Sequence, residues 1–109
     1  MPVFQLGWTA DFADPHNFAF AYLHSEGNYP KRQRLVNPAW DKLVDQANAE
    51  TDPAKRETLY AGLQKLANLD VPQVYIGQPM SLRVIREEVK GFYFNPIFPG
   101  TYFYPISKD

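Results

Sequence analysis

Apolar positions recur at helical spacing through the middle of the chain. From Asn37 onward, Trp40, Leu43, Val44 and Ala47 fall on one face at 3.6-residue spacing, and Asp41, Lys42, Asp45 and Gln46 fall outside it. This predicts an amphipathic helix. A second helical stretch runs from Pro53 to about Leu69, with Leu59, Tyr60, Leu63, Leu66 and Ala67 as its buried stripe and Lys55, Arg56 and Glu57 opening its wet face. A short break at Glu50-Thr51 makes the two an angled pair, expected to pack through Trp40 and Leu63 or near neighbours. A third, shorter helix is predicted from about Pro15 to Leu23, with Phe18, Tyr22 and Leu23 as candidate core contacts. All three begin alike: Asp14-Pro15, Asn37-Pro38 and Asp52-Pro53 each put a side-chain acceptor at the N-cap and a proline at the first helical position, where its missing N–H costs nothing.

Outside the helices the pattern is extended. Val3-Phe4-Gln5-Leu6 alternates loosely, Val71 to Gly77 reads as a short strand begun by a tolerated proline, and Leu82 to Arg86 is a further strand candidate. Ser25 to Arg34 has turn formers, a basic cluster and no apolar period, and is predicted to be a surface loop in which Lys31, Arg32 and Arg34 are solvated. After the charged turn Glu87 to Gly91, residues 92–105 hold seven aromatics and three prolines. Such a tail needs another layer to pack on, either a second copy of the chain or residues beyond it. Core is the preferred reading for Tyr93, Phe94, Tyr102, Phe103 and Tyr104, over a stacking platform for sugars.

Composition narrows the function. At 109 residues there is room for one domain, and 45% hydrophobic with 21% charged residues is not a disordered chain. A net charge of -1 offers no field for nucleic acid or an anionic membrane. With no cysteine, thiol catalysis and zinc ribbons are excluded. The N-terminus lacks the pattern of a signal peptide, and a chain that enters its first strand at residue 3 is expected to be cut from something longer.

The candidate site is the strand-to-helix turn Gly7 to Phe18, which carries a bulky aromatic and a carboxylate where α/β proteins commonly hold ligands. Asp11, Asp14 and His16 could be read as a metal cluster, or the two carboxylates as an acid/base pair. Neither is adopted: Asp14 is already explained as a cap, and no second ligand cluster or nucleophile accompanies them. No enzyme, metal or cofactor is expected.

Five stretches in order carry a resemblance: Gly7-Trp8-Thr9-Ala10-Asp11-Phe12-Ala13-Asp14-Pro15-His16-Asn17-Phe18, Asn37 to Ala47, Thr51 to Tyr60, Val71 to Ile76, and Val89-Lys90-Gly91-Phe92. Together they resemble the C-terminal segment of family 5 extracytoplasmic solute-binding proteins, the dipeptide and oligopeptide receptors of ABC importers. The resemblance implies an α/β chain, a fragment of a periplasmic-binding-protein type II fold, with three helices plus short strands. Residues 1–76 would belong to the second lobe, and 77–109 would cross over to strands of the first. It implies a periplasmic or other extracytoplasmic location, a peptide or similar solute as ligand, and ABC permease subunits as partners. The matching aspartate of such receptors accepts a peptide's α-ammonium, so Asp11 is the first ligand-binding candidate and Trp8 the second, with Gln5, Thr9 and Phe12 on the rim. Gln5 departs from receptors that place an arginine there for a short peptide's carboxylate, which leaves oligosaccharides and nickel complexes open as solutes. The alternative is a self-associating structural piece, without solute binding, held through its aromatic tail.

Overall fold

A computed structural model of the chain describes residues 5–97 and 100–109. Its elements are α1 (His16–Leu23), α2 (Asn28–Gln33), α3 (Pro38–Ala49), α4 (Pro53–Asp70), β1 (Val89–Lys90) and β2 (Ser107–Lys108). The expected capping is present at α3 and α4; at α1 the helix starts one residue later than expected, with Pro15 at the N-cap position and no side-chain cap, and Asp14 instead bonds the N–H of His16. Asn37 Oδ1 accepts from the N–H groups of Ala39 and Trp40 at 3.1 and 3.3 Å, Asp52 Oδ1 from Lys55 N–H at 3.0 Å, and Asp14 Oδ1 from His16 N–H at 2.8 Å.

α3 and α4 pack as the predicted pair, with α1 laid across them. Their shared core is Ala19, Leu23, Trp40, Val44, Ala47, Tyr60, Leu63 and Ala67. Of the core contacts expected on α1, Leu23 is in the core and Tyr22 packs against it, but Phe18 does not. Asn17, Ala19, Ala21 and Leu23 are buried, whereas Phe18 is exposed and Tyr22 only half-buried. Small residues let α1 approach its neighbours closely; the Phe18 ring is turned outward, while Phe20 and Tyr22 pack half-buried against the edge of the core.

The loop predicted over Ser25 to Arg34 contains a helix instead. α2 carries its proline in its first turn, where no intrahelical N–H bond is lost, and it stops at Arg34, which caps it in the left-handed conformation at φ 57°. Its burial is tertiary: Tyr29 and Pro30 are enclosed although no periodic apolar stripe announces them. Gly27 makes the entry possible, because a Cβ there would overlap the Phe20 carbonyl oxygen of α1.

The strand predictions are corrected. Residues 71–77 and 82–86 are in no strand, and Gln5 and Leu6 are exposed and unpaired in any sheet, while Val3 and Phe4 lie outside the described residues. The only pairing among the described residues is the antiparallel pair of β1 and β2, Val89 opposite Lys108. A strand needs a neighbour to take its backbone hydrogen bonds, and 71–86 has none. Val74, Ile76, Met80, Leu82 and Val84 are consequently exposed, Met80 at 96%. The expected core role of Tyr93, Phe94, Tyr102, Phe103 and Tyr104 fails for the same reason, since all five rings are exposed. Among the described residues the α/β expectation thus becomes an α-rich domain of four helices with a two-stranded ribbon. The radius of gyration is 18.0 Å, against about 13 Å for a compact chain of this length. The excess lies in the extended C-terminal third.

Candidate functional site

Two hydrogen bonds tie the first part of the turn that leads into α1 to its surroundings, one from a side chain of the turn and one to its backbone. Trp8 Nε1–H donates to Asn17 Oδ1 at 2.6 Å, and the Tyr29 hydroxyl donates to the Gly7 carbonyl at 2.6 Å. The Trp8 ring meets Tyr29 edge-on with centroids 6.0 Å apart, and Tyr29 packs on Tyr22 at 4.7 Å. Tyr22 in turn lies 6.2 Å from Tyr75, and its backbone carbonyl accepts from Gln73 Nε2 at 3.2 Å. An aromatic row therefore connects the first turn to α1, α2 and the chain leaving α4. Burial pushes the Tyr22 hydroxyl up to about 12, with Tyr29 adding to the shift, so it keeps its proton and can donate at neutral pH.

Along this row runs an open groove of about 1580 Å³. Gln5, Trp8 and Thr9 form one side, Arg32, Gln33 and Arg34 the end of α2, and Gln73, Tyr75 and Gln78 the far side. A second, apolar recess of about 380 Å³ lies between α1 and α4, shares Phe18, Tyr22 and Tyr75 with the groove, and reaches Leu63 and Ala67. Among the described residues, no acidic side chain lines the groove.

The predicted site residues divide. Gln5, Trp8 and Thr9 line the groove; Asp11 and Phe12 are exposed outside it. Asp11 has no hydrogen bond or ion pair among the described residues, so its carboxylate is uncommitted, whereas the Trp8 N–H is taken by Asn17.

Comparison with known proteins gives this geometry a context. The chain is 37% identical over 92 residues to the probable D,D-dipeptide-binding periplasmic protein DdpA of Escherichia coli, a match that covers 83% of this chain and 18% of that protein. Its homologues are periplasmic peptide-binding proteins. The dipeptide-binding protein of Escherichia coli is 33% identical over 99 residues, covering 85% of this chain and 18% of that protein. The periplasmic oligopeptide-binding protein OppA of Haemophilus influenzae is 28% identical over 90 residues, covering 83% and 16% respectively. The chain thus spans less than a fifth of the length of these relatives. No protein-family model matches it, and no solved structure matches it significantly. Among the described residues, no helix is long and apolar enough to cross a membrane.

Two features escaped the sequence reading. The first is α2, which brings Tyr29, Arg32 and Arg34 to the groove. The second is Arg56, read as part of a wet face. It lies over the Tyr60 ring at 5.0 Å, donates through Nε to the Ala47 carbonyl at 3.2 Å, and pairs through a terminal nitrogen with Asp14 at 2.7 Å. Its position four residues before the buried Tyr60 was the available signal, since such pairs share a helix face. Asp14 therefore bonds the His16 N–H and pairs with Arg56, tying the start of α1 to α4. His16, its neighbour, stacks obliquely on Phe20 at 5.5 Å and has a buried Nδ1 without a partner.

The pair has a pH signature. The Arg56 hydrogen bond, helped by the His16 N–H and opposed by burial, holds the Asp14 carboxyl below the usual carboxylate range. A depressed carboxylate contributes stability at neutral pH that disappears as pH falls through about 4 and below. Melting followed by circular dichroism from pH 7 to pH 2.5 should show Asp14→Asn less stable than wild type at pH 7. The difference should hold down to about pH 5 and shrink below it.

Proposed function

We propose that this chain forms one wall of a peptide-binding cleft in an extracytoplasmic receptor, which closes on its solute and delivers it to an ABC permease without chemical change. Trp8 supplies an apolar face, the open groove supplies space for a short chain, and Asp11 supplies the carboxylate for the solute's α-ammonium. An uncommitted acid at a cleft edge becomes a strong partner for a cation once closure excludes water, because charge-assisted bonds strengthen in a low dielectric. The observation that carries this reading is the groove beneath Trp8 in a chain 37% identical, over most of its length, to a protein named for dipeptide binding.

In the same reading, residues 1–76 belong to one lobe of a periplasmic-binding-protein type II receptor, and 77–109 cross to the other. The uncovered apolar run from Val74 to Val84 supports this, since it is surface that another layer would bury. Domain closure about such a crossover is a known route to solute capture.

Calorimetric titration with D-alanyl-D-alanine and L-alanyl-L-alanine tests the proposal. Saturable heat is expected for at least one of them, with affinity reduced about tenfold or more by Asp11→Asn. Saturable binding indifferent to Asp11 would remove Asp11 from the site, and no binding of either dipeptide would overturn the peptide reading.

A further inference from the structure

The segment that leaves α4 is extended, bare and uncharged. Between Asp70 and Arg83 no residue carries a charge, and prolines stand at 72 and 79. Residues 73–77, between those prolines, are anchored on one side only: Gln73 Nε2 donates to the Tyr22 carbonyl at 3.2 Å, and the Tyr75 ring lies 6.2 Å from that of Tyr22. Val74 and Ile76, which alternate with them, are 82% and 75% exposed. That is the side-chain alternation of a strand. The N–H and C=O groups of 73–77 nevertheless make no backbone hydrogen bond among the described residues. Natural proteins commonly blunt such an edge with lysine or an internal proline. Here the prolines bound the segment without interrupting it, and the charge is missing.

The exposed area has the size of an interface. The chain exposes 8721 Å², whereas a compact protein of 12.6 kDa exposes about 6200 Å². The excess of about 2500 Å² surpasses the roughly 800 Å² that each partner gives to a stable complex of standard size. A net charge of -1 leaves little repulsion between copies.

We infer that the 109-residue chain pairs with a second copy of itself through residues 73–77, as an antiparallel ladder whose two-fold axis passes at Tyr75. Pairing gives the segment the backbone partners it lacks. The alternation selects the register: opposed residues of a ladder share a face, so an axis at Tyr75 sets Val74 against the partner's Ile76 and Tyr75 against its own counterpart. A slip of one residue would oppose Tyr75 to Ile76 and mix the anchored face with the bare one. Met80, Leu82 and Val84, exposed past Pro79, continue the apolar surface away from the axis. In a longer receptor another layer of the same molecule would cover this segment; in the 109-residue chain the second copy takes that place. The inference does not depend on peptide binding.

Sedimentation equilibrium from low to high micromolar concentration should show a reversible monomer–dimer equilibrium that stops at two copies. Ile76→Lys alters a side chain that is exposed in the single chain, so the fold tolerates it, yet it sets a charge against the partner's Val74. Its dimer dissociation constant should rise about tenfold or more. Tyr104→Ser changes an exposed ring of the tail, outside the ladder, and should leave the constant unchanged. Because the chain has no cysteine, the register can be read by cross-linking. Val74→Cys chains mixed with Ile76→Cys chains should form disulfides under mild oxidation faster than either chain does with itself. A monomer at every concentration overturns the inference and leaves the surface to the rest of a longer receptor. A dimer lost in Tyr104→Ser and kept in Ile76→Lys moves the contact to the tail and also overturns it. Masses beyond the dimer, or no preference for the mixed cross-link, overturn the two-fold ladder.

Discussion

Leu63→Ala will lower the free energy of unfolding by about 2–5 kcal/mol. Leu63 is 2% exposed and stands where α4 meets the buried faces of α1 and α3, in contact with the cluster that includes Trp40 and Val44. Truncation removes the transfer free energy of the lost carbons, and the surrounding helices relax only partly over the space left behind. Leu63 also forms part of the wall of the apolar recess beside α1, so the new cavity would join existing space and would not collapse readily. Leu69, 78% exposed near the end of the same helix, provides the control: Leu69→Ala should change stability by about 0.5 kcal/mol or less. Urea unfolding of the two variants beside wild type makes the comparison. Equal, small effects would show that α4 is not packed as described.

Trp8→Phe should cost about 1–3 kcal/mol, for a reason unrelated to ring size. The indole N–H is the donor for Asn17 Oδ1, and Asn17 is only 7% exposed. Phenylalanine keeps an aromatic face against Tyr29 but leaves a buried amide oxygen without that donor. An unsatisfied buried acceptor is penalised more heavily than a satisfied bond is rewarded, so removing both partners should be milder than removing one. Trp8→Phe combined with Asn17→Leu is accordingly expected to be more stable than Trp8→Phe alone. A strictly additive double variant in the same unfolding assay would contradict the assignment.

The helices were legible because their signals are local. An Asp or Asn followed by proline specifies a helix start whatever surrounds it, and the Trp40, Val44, Ala47 stripe faces inward in any packing that buries α3. α2 was not legible, since Tyr29 is buried by partners well before it in sequence, Gly7, Trp8 and Tyr22, and no periodicity reports that. The extended segments failed in the opposite direction. Residues such as Val74, Ile76 and Val84 have the composition of strands, but a strand exists only when another strand accepts its hydrogen bonds, and composition does not provide one. Arg56 shows the same limit on a smaller scale, a charged residue drawn inward by Asp14, forty-two positions away.

The candidate site was legible to the extent that it is one turn. The sequence pointed to Trp8, and the structure seats that residue in the groove wall together with Gln5 and Thr9. It also pointed to Asp11 through family resemblance, and here the geometry adds only that the carboxylate is exposed and uncommitted. The basic end of α2 could not be foreseen, because a solvated loop and a charged groove edge have the same composition.

The most direct measurement follows the two indole N–H resonances of the chain, from Trp8 and Trp40, during titration with D-alanyl-D-alanine or L-alanyl-L-alanine. Trp8 borders the groove, while Trp40 is 4% exposed in the helical core. Saturable movement of the Trp8 signal with the Trp40 signal still is the predicted result. A Trp8 signal that never moves, or two signals that move together, would contradict a peptide site beneath Trp8.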